Sequence, residues 1–296
     1  MSIVRKIKEE VSGTSQRALG LDGIRFNLQV VLEKLEKLYQ IESDLSEIKA
    51  LSQRIEALSA QISAQMSAHL NDQSQTTTLH HALRRLQGHQ IPIATLIDVG
   101  ASNGSWSKAF AHYFPGRHHL LVDANEVHLP ALTSVCQENL NWHYVLAAVG
   151  GKTEEVYFDA SDPLGGHLSK HLHDQNYRPC ISTTVDDLLE KQPLPRPFMI
   201  KLDTHGVEIP ILDGSTNVLK QTNVLVIEAY NFNLGESAVP FWELCRHLFD
   251  LGFRPLDVFD LLYRRVDNAF WQFDLLFVRR DLPLFKDLRF VVSDGH

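Results

Sequence analysis

The sequence predicts an α/β protein with a mainly parallel seven-stranded sheet, helices on both faces of that sheet, and a long N-terminal helix. Short apolar runs alternate with helical stretches from residue 93 onward, as in a doubly wound sheet. One apolar run, Leu96–Val99, leads into a turn with two glycines four residues apart, Gly100 and Gly104. Residues 24–68 contain neither Gly nor Pro and show a helical apolar pattern.

The N-terminal region has the apolar spacing of a coiled coil. Ten steps of three or four residues cover the thirty-four residues from 28 to 62, an average of 3.4. This average is close to the 3.5-residue repeat of a heptad seam. A single helix cannot bury such a seam on itself, so residues 24–68 are predicted to form a coiled coil that makes a homo-oligomer. Folding back and docking elsewhere are the alternatives. The repeating residues are Leu28, Val31, Leu35, Leu38, Ile41, Leu45, Ile48, Leu51, Ile55, Leu58 and Ile62.

The remaining pattern defines the other regions of the chain. We expect residues 1–70 to be the oligomerisation region, residues 71–92 a polar linker and a short helix, and residues 93–296 the α/β domain. A flexible lid is expected between residues 150 and 185, where the pattern loosens around one extra strand at 155–158. The predicted strands of the main sheet are 93–99, 118–123, 142–148, 197–203, 223–229, 253–259 and 272–279.

Charge and composition argue against several classes of partner. The net charge is −8, and the first 70 residues contain nine basic and nine acidic side chains, so the whole excess lies in residues 71–296. A domain that binds nucleic acid would usually show a basic face, so we expect no nucleic-acid partner. The sequence contains no run of about 18 apolar residues, so it predicts no membrane span. The N-terminus lacks the apolar core of a signal peptide. Three widely spaced cysteines predict reduced thiols and a cytoplasmic protein.

The glycine turn predicts a nucleotide-like ligand. A strand, a glycine turn and a helix N-terminus together present backbone N–H groups to such a ligand. Asp98 stands where a dinucleotide fingerprint has its first glycine, which disfavours an NAD-linked reductase. An acid there suits S-adenosylmethionine, whose amino group is positive. Asp123 ends the next apolar run, 19 residues after Gly104, and can accept from ribose hydroxyls. The alternative is a nucleotide-free domain with a chance glycine turn.

A second cluster of polar residues follows a later strand. This strand carries Lys201 and ends in Asp203, the turn after it contains His205, and Glu208 opens the next helix. The following strand ends in Glu228, which is expected beside Asp203 at the carboxyl edge of the sheet, where α/β proteins bind ligands. The two carboxylates could hold a divalent cation or bind a substrate hydroxyl. For Lys201 the alternative is a buried ion pair that orders the edge of the sheet.

In combination and order, these motifs resemble the FkbM-type S-adenosylmethionine-dependent methyltransferases over about residues 93–280. The usual Glu-Pro after the second strand is here Asp123-Ala124, so the acid is one methylene shorter. Ser102 stands where the first motif usually has Asn, and the coiled-coil region has no counterpart in the family core. The matching segments are Ile97–Gly104, Thr184–Leu188, Lys201–Glu208 with Leu212–Gly214 after it, and Ile227–Glu228.

The resemblance implies a Rossmann-like class I methyltransferase fold with S-adenosylmethionine as the cofactor. It assigns the methionine part of the cofactor to Asp98, Gly100 and Gly104, and the ribose to Asp123. The adenine is expected near the end of the third strand, where only alanines stand. The full set of implied cofactor residues is Asp98, Gly100, Ala101, Asn103, Gly104, Asp123, Ala124, Ala147 and Ala148.

The resemblance also implies O-methylation, with a hydroxylated glycan or a glycosylated small molecule as the acceptor. An alcohol needs a base or a cation to become a good nucleophile. We favour His205 as the base, because an imidazole titrates near neutral pH, with Asp203 as its orienting partner. Lys201 and Glu208 complete the predicted catalytic set.

Two alternatives stay open. In the rival mechanism, Mg²⁺ binds to Asp203 and Glu228 and takes the substrate hydroxyls as ligands. In the rival function, a catalytically silent domain of this fold acts through its coiled coil. The second alternative is disfavoured because the motif residues are intact. The expected acceptor-facing loop is Tyr230–Asn233.

Overall fold

A computed structural model of the chain describes residues 29–41, scattered positions from 44 to 59, residues 77–287 and residue 289. Within the long stretch, residues 162–165, 167, 173, 174 and 236 are outside the description. The chain divides into two units, Met1–Gln73 and Ser74–His296.

The described part of the first unit is helical. Residues 29–41 form a helix, and every described position from 44 to 59 is also helical, as the apolar spacing predicted. Residues 24–28 and 60–68 of the predicted helix lie outside the described residues. The seam positions face solvent, with Leu38 and Leu45 both 61% exposed and Ile55 66% exposed. Pairing of this seam with another helix stays a prediction.

The described part of the second unit contains two sheets. In chain order, the strands are β1 (Thr95–Val99), β2 (His118–Asp123), β3 (Trp142–Leu146), β4 (Ala148–Val149), β5 (Glu155–Asp159), β6 (Leu168–Ser169), β7 (Tyr177–Thr183), β8 (Phe198–Leu202), β9 (Thr222–Tyr230), β10 (Phe253–Tyr263) and β11 (Phe270–Arg279). The helices between them are α1 (Leu79–Gly88), α2 (Ser105–Tyr113), α3 (Leu129–Gln137), α4 (Val185–Lys191), α5 (Glu208–Asp213), α6 (Thr216–Leu219) and α7 (Phe241–Asp250). Short 3-10 turns occur at Glu126–His128 and Pro283–Phe285.

The main sheet has the strand order β10-β11-β9-β8-β1-β2-β3. The pairs from β9 to β3 are parallel, whereas β11 runs antiparallel to both β9 and β10. This arrangement confirms the predicted mainly parallel seven-stranded sheet. The direction in which successive strands are added to the sheet reverses at β1. Strands β2 and β3 lie on one side of it, and β8 and β9 lie on the other. Ligands of open α/β sheets bind at the carboxyl ends of strands at such a reversal.

The core lies on both faces of the main sheet. Ile97 and Val99 of β1 belong to one cluster of buried residues, and the alternate residue Leu96 belongs to the cluster on the other face. This alternation follows from the two-residue period of a strand, and it explains why the central strands are apolar at almost every position. Helices therefore cover both faces, as predicted.

The second sheet has the order β4-β7-β5-β6 and includes the predicted extra strand at 155–158. The strand predicted over 142–148 differs from the structure, because β3 ends at Leu146 and Ala148–Val149 pairs with β7 instead. The free thiols of the three cysteines agree with the prediction. Among the described residues, no helix has the length and apolar content needed to cross a membrane.

Candidate active site

A cleft lies at the carboxyl ends of β1, β2, β3 and β8, at the point where strand order reverses. It has about 690 Å³ of open space including its mouth, which is in the range of small-molecule sites. Backbone hydrogen bonds fix its floor. Asp203 N donates to Val99 O at 3.0 Å, and Ala147 N donates to Asp123 O at 2.9 Å. The ends of four strands are therefore held together around one opening.

Gly100 is required by the close approach of two of these strand ends. Its φ is +76°, in the region that favours glycine, and a Cβ built on it would lie 2.0 Å from the carbonyl oxygen of Asp203. The backbone after β1 therefore touches the backbone after β8 directly. Any side chain at residue 100 would force these two turns apart.

Asp123 ends β2 with its carboxylate held in place. Oδ2 accepts from the backbone N–H of Ser102 at 2.7 Å, and Oδ1 accepts from the backbone N–H of Asn125 at 2.8 Å. The side chain lines the cleft and is 8% exposed. Each oxygen retains a lone pair, so the carboxylate is positioned to accept from a diol in the cleft.

Lys201 and Asp98 form a buried pair beneath the cleft. They are register partners in the parallel pair β1–β8, and Lys201 Nζ lies 3.5 Å from Asp98 Oδ1. Ser107 Oγ of α2 donates to Asp98 Oδ2 at 2.7 Å. Lys201 Nζ also donates to Asp203 Oδ2 at 2.9 Å. Burial opposes the charge of Lys201, but the two carboxylates outweigh burial and raise the pKa of its ammonium group.

His205 brings together the two predicted acids at the mouth of the cleft. Its Nε2 lies 3.6 Å from Asp203 Oδ1 and 3.6 Å from Glu228 Oε2. Its Nδ1 is 3.3 Å from the carbonyl oxygen of Gly166, so this end of the imidazole is anchored and Nε2 faces the two acids. The backbone of His205 has a φ of 54°, and the tight turn after β8 aims this side chain back at the sheet.

The two acids have opposite electrostatic environments. Burial opposes ionisation of Asp203, but Lys201 outweighs it and lowers the pKa of that carboxyl. Burial, together with the charge of Asp203, raises the pKa of Glu228 to about 8. Glu228 accepts hydrogen bonds from Tyr230 on Oε2 and from Gln272 on Oε1. Near pH 7 the pair therefore holds one negative charge, on Asp203, and one proton, on Glu228.

Glu208 organises the turn that carries His205. Its Oε1 accepts from the backbone N–H of Gly206 at 2.9 Å and from Thr204 Oγ1 at 3.0 Å. Glu208 is buried and does not line the cleft. It therefore positions His205, and direct participation of Glu208 in a reaction stays a prediction.

The second sheet covers one side of the cleft, where the sequence predicted a lid. Phe158 of β5, Gly166 and Leu168 of β6 line the opening. A second cavity of about 970 Å³, including its mouth, lies next to the cleft. The two share Leu168, His205 and Val207 as lining residues. His205 therefore stands at the junction of two cavities.

Comparison with known proteins identifies the family. Residues 98–255, more than half of the chain, match the methyltransferase FkbM domain. The chain belongs to the FkbM methyltransferase family. All of the residues described above, from Asp98 to Glu228, lie within the matched range.

Relatives of this FkbM-family chain are distant. A stretch of 76 residues is 25% identical to a hexuronic acid methyltransferase of Haloferax volcanii and covers 26% of this chain. The match spans 31% of that relative's length. Similar solved structures include a precorrin-6y C5,15-methyltransferase from Geobacter metallireducens, with a TM-score of 0.39, 13% identity and coverage of 67% of this chain and 86% of that one. Magnesium protoporphyrin IX methyltransferase from Synechocystis has a TM-score of 0.38, 12% identity and coverage of 68% and 79%.

The structure brings together most of the residues that the sequence singled out in the FkbM-family chain. Five of the nine residues predicted for the cofactor line the cleft, namely Gly100, Asp123, Ala124, Ala147 and Ala148. The other four, Asp98, Ala101, Asn103 and Gly104, do not line it. Asp98 faces Ser107 and Lys201 instead, so its role toward a cofactor stays a prediction.

Three polar residues near the site were not predicted. Asn125 lines the cleft two residues after Asp123, and its polarity at that position was an available signal. Gln272 and Asp274 lie on β11, the strand next to the one that carries Glu228. Asp274 is the register partner of Glu228, and Gln272 donates a hydrogen bond to it. Burial raises the pKa of Asp274 to about 7. Polar residues two apart in an otherwise apolar strand mark one face of that strand.

Proposed function

We propose that this protein is an S-adenosylmethionine-dependent O-methyltransferase that acts on a hydroxyl group of a glycan or of a glycosylated small molecule. One observation carries the proposal. His205 Nε2 lies 3.6 Å from both Asp203 and Glu228, beside a cleft whose far end holds the Asp123 carboxylate. Membership of the FkbM family supports methyl transfer. The related hexuronic acid methyltransferase supports a sugar acceptor.

The cleft residues fit the cofactor. Asp123 offers a fixed carboxylate to the ribose hydroxyls. The side chain of Asn125 adds a buried amide donor, Nδ2, from which no described residue accepts a hydrogen bond. The absence of a side chain at Gly100 lets the turns after β1 and β8 meet at the floor of the cleft. The small side chains of Ala147 and Ala148 leave apolar space for the adenine ring. When bound, S-adenosylmethionine supplies a methyl group on a positively charged sulfur.

In this proposal His205 acts as the general base. Its Nε2 would accept the proton of the acceptor hydroxyl and so make that oxygen a better nucleophile toward the methyl group that the cofactor would supply. Asp203 stays ionised because of Lys201, and it stabilises the imidazolium that forms. Glu228 holds its proton near pH 7 and so adds no second negative charge beside His205. A base positioned in this way typically contributes a factor of about 10² to 10⁴ in rate.

The second cavity is the proposed acceptor site. Because it shares His205 with the cleft, a hydroxyl that enters it can reach the imidazole. The Tyr230 ring lies 6.4 Å from the His205 ring, and aromatic rings suit the apolar faces of sugars. The Phe232 and Trp271 rings are 5.1 Å apart, and Tyr230 packs edge-on against Trp271 at 6.1 Å. Two of these three residues belong to the loop that the sequence predicted to face the acceptor.

A metal-assisted mechanism is the second candidate. One ligand atom each from Asp203, His205 and Glu228 lie within 4.8 Å of one another, which is a spacing that a divalent cation can bridge. An ion at this place would lower the pKa of the acceptor hydroxyl in place of the imidazole.

Calorimetric titration of the purified chain with S-adenosylmethionine, and separately with NADH, tests the cofactor. We expect saturable binding of the first and no binding of the second. A folded protein that binds no S-adenosylmethionine would refute the enzymatic proposal and favour the silent scaffold. Transfer of a radiolabelled methyl group to a panel of hydroxylated oligosaccharides, with amino and carboxyl acceptors as comparisons, then tests O-methylation.

The variant His205→Asn tests the role of the imidazole, and EDTA treatment of the wild type separates the base from the metal mechanism. Asn tolerates the positive φ at this position better than most residues, so the turn is preserved. We expect the methyl-transfer rate to fall by a factor of about 10² or more while cofactor affinity is kept. His112→Gln, an exposed change, is the control. Wild-type activity should survive EDTA within twofold, and loss of activity that Mg²⁺ or Mn²⁺ restores would favour the metal mechanism.

A further inference from the structure

We propose that Asn125 is a cofactor-binding residue whose side-chain Nδ2 donates a hydrogen bond to an acceptor atom in the nucleoside part of the cofactor. The inference rests on the proposed function and adds a contact that the family motif does not specify. Asn125 lies two residues after Asp123 and lines the same cleft.

The amide orientation is set by the local backbone. Asn125 precedes the 3-10 turn Glu126–His128, and its Oδ1 accepts from the backbone N–H of Val127 at 3.2 Å. This capping bond uses the acceptor end of the amide. The donor end, Nδ2, is therefore the end that is left for a partner.

That donor is buried without a protein partner. Asn125 is 7% exposed, and no described residue accepts from Nδ2. Nearly all buried side-chain donors in native proteins are paired, because an unmade hydrogen bond loses the solvation of the group without compensation. A buried donor on the wall of a ligand cleft is explained most simply by a bond to the ligand.

The residues around Asn125 indicate which kind of ligand atom its Nδ2 would contact. Asp123 supplies only acceptor oxygens, and both already accept from backbone N–H groups. Ala124, Ala147 and Ala148 at this end of the cleft supply no polar side-chain atom, and Ser102 supplies a hydroxyl that can donate or accept. Asn125 therefore provides the side-chain amide donor among these residues. A nucleoside carries acceptors that suit it, on the ribose and on the edge of the base.

The test compares binding of S-adenosylhomocysteine and of 5′-methylthioadenosine, which lacks the amino-acid part, by calorimetry. Asn125→Ser keeps a capping oxygen but cannot reach the cleft, and Asn125→Asp keeps the shape and the cap but loses the donor. We expect both variants to bind both ligands about tenfold more weakly than wild type, as expected for the loss of one hydrogen bond. Their melting temperatures without ligand should stay near that of wild type.

The outcomes are distinguishable from failure of the proposed function. If wild type binds S-adenosylhomocysteine and neither variant is weakened, the Asn125 contact is wrong while the proposed function stands. If only Asn125→Asp weakens binding, the cause is the added charge beside Asp123, and the contact is also refuted. The exposed variant Asn141→Asp is the matched control for added charge. Weakening toward S-adenosylhomocysteine but not 5′-methylthioadenosine would place the contact on the amino-acid part and overturn the assignment. Absence of binding by wild type would refute the proposed function itself.

Discussion

Lys201 Nζ lies 3.5 Å from Asp98 Oδ1, and both side chains are buried between adjacent strands of the sheet. The two residues come from the two motifs that characterise the sequence, one near the end of β1 and one near the end of β8. The same ammonium group donates to Asp203 at 2.9 Å. One cation therefore links the glycine turn to the acid that faces His205, which explains why both motifs carry charged residues in apolar strands.

Removing this cation should unfold or strongly destabilise the protein. In Lys201→Met the carboxylate of Asp98 keeps only Ser107 as a partner and stays buried. Loss of one member of a buried ion pair typically lowers the free energy of unfolding by about 3–5 kcal/mol. Urea denaturation followed by circular dichroism measures this loss.

The double variant Lys201→Met with Asp98→Asn tests the cause. We expect it to recover part of the lost stability, because the uncompensated charge of Asp98 is removed while Asp203 still lacks its ammonium partner. The surface pair Lys152–Glu154, with an N–O distance of 3.0 Å and a lysine side chain 70% exposed, is the matched control. Lys152→Met should cost less than about 1 kcal/mol. Equal losses in the free energy of unfolding for Lys201→Met and Lys152→Met would contradict the claim that burial makes the Lys201 pair more important.

Gly100→Ala should be far more damaging than an ordinary change at a glycine of positive φ. The new Cβ would lie 2.0 Å from the backbone oxygen of Asp203, so β1 and β8 would have to separate. Gly116 has a φ of +73° and no atom within 4 Å of the position that a Cβ would take, so it isolates the backbone strain alone. We expect Gly116→Ala to cost about 1–2 kcal/mol and Gly100→Ala about 3 kcal/mol or more, with loss of cofactor binding. Similar melting temperatures for the two variants would refute the close approach.

His119 should make the fold sensitive to acid. Its ring is fully buried, stacks on Trp142 at 3.9 Å and meets Phe110 edge-on at 5.6 Å. Burial, with a small contribution from His118, lowers the pKa of His119 from 6.5 to about 3. The unfolded chain therefore takes up a proton below pH 6.5 that the folded chain refuses until about pH 3. Stability from this residue is full above pH 6.5 and is lost as the pH falls.

The variant His119→Phe removes this dependence. Between pH 8 and pH 5, wild type should lose about 2 kcal/mol more of its free energy of unfolding than the variant does. Urea denaturation at the two pH values gives the difference. Exposed His112→Phe should keep the wild-type slope. An unchanged slope in His119→Phe would show that His119 is charged or hydrated in the native state.

The exposed seam of the first unit should mediate self-association. Leu38 and Leu45 are each 61% exposed on a helix that has no described partner for its apolar stripe. We expect the full chain to be an oligomer by light scattering, and Leu38→Lys with Leu45→Lys to shift it to monomer at the same concentration. Gln40→Lys with Gln53→Lys adds the same charge at exposed polar positions and should leave the oligomer intact. A monomeric wild type at micromolar concentration would refute the coiled coil.

Local sequence was enough to predict most of the second unit. The apolar runs at β1, β2 and β8 are buried on both faces, so they stand out from their neighbours without any knowledge of contacts. Gly100 and Asp203 were recognisable because a strand end in this kind of sheet is a ligand site. The boundary at Ala147 was not predictable, since it depends on pairing of Ala148–Val149 with β7, which lies far along the chain.

The sequence by itself determined the family motifs, the chain order of the strands in the main sheet, and the candidate base with Asp203 as its partner. Those features depend on residue type and on short spacing. Only the tertiary structure decided that Lys201 neutralises Asp98, that Glu208 supports a turn, and that the amide donor of Asn125 is buried on the cleft wall. These roles depend on register between distant strands and on the loss of water around each group. Both are properties of the packed sheet and of no single stretch of sequence.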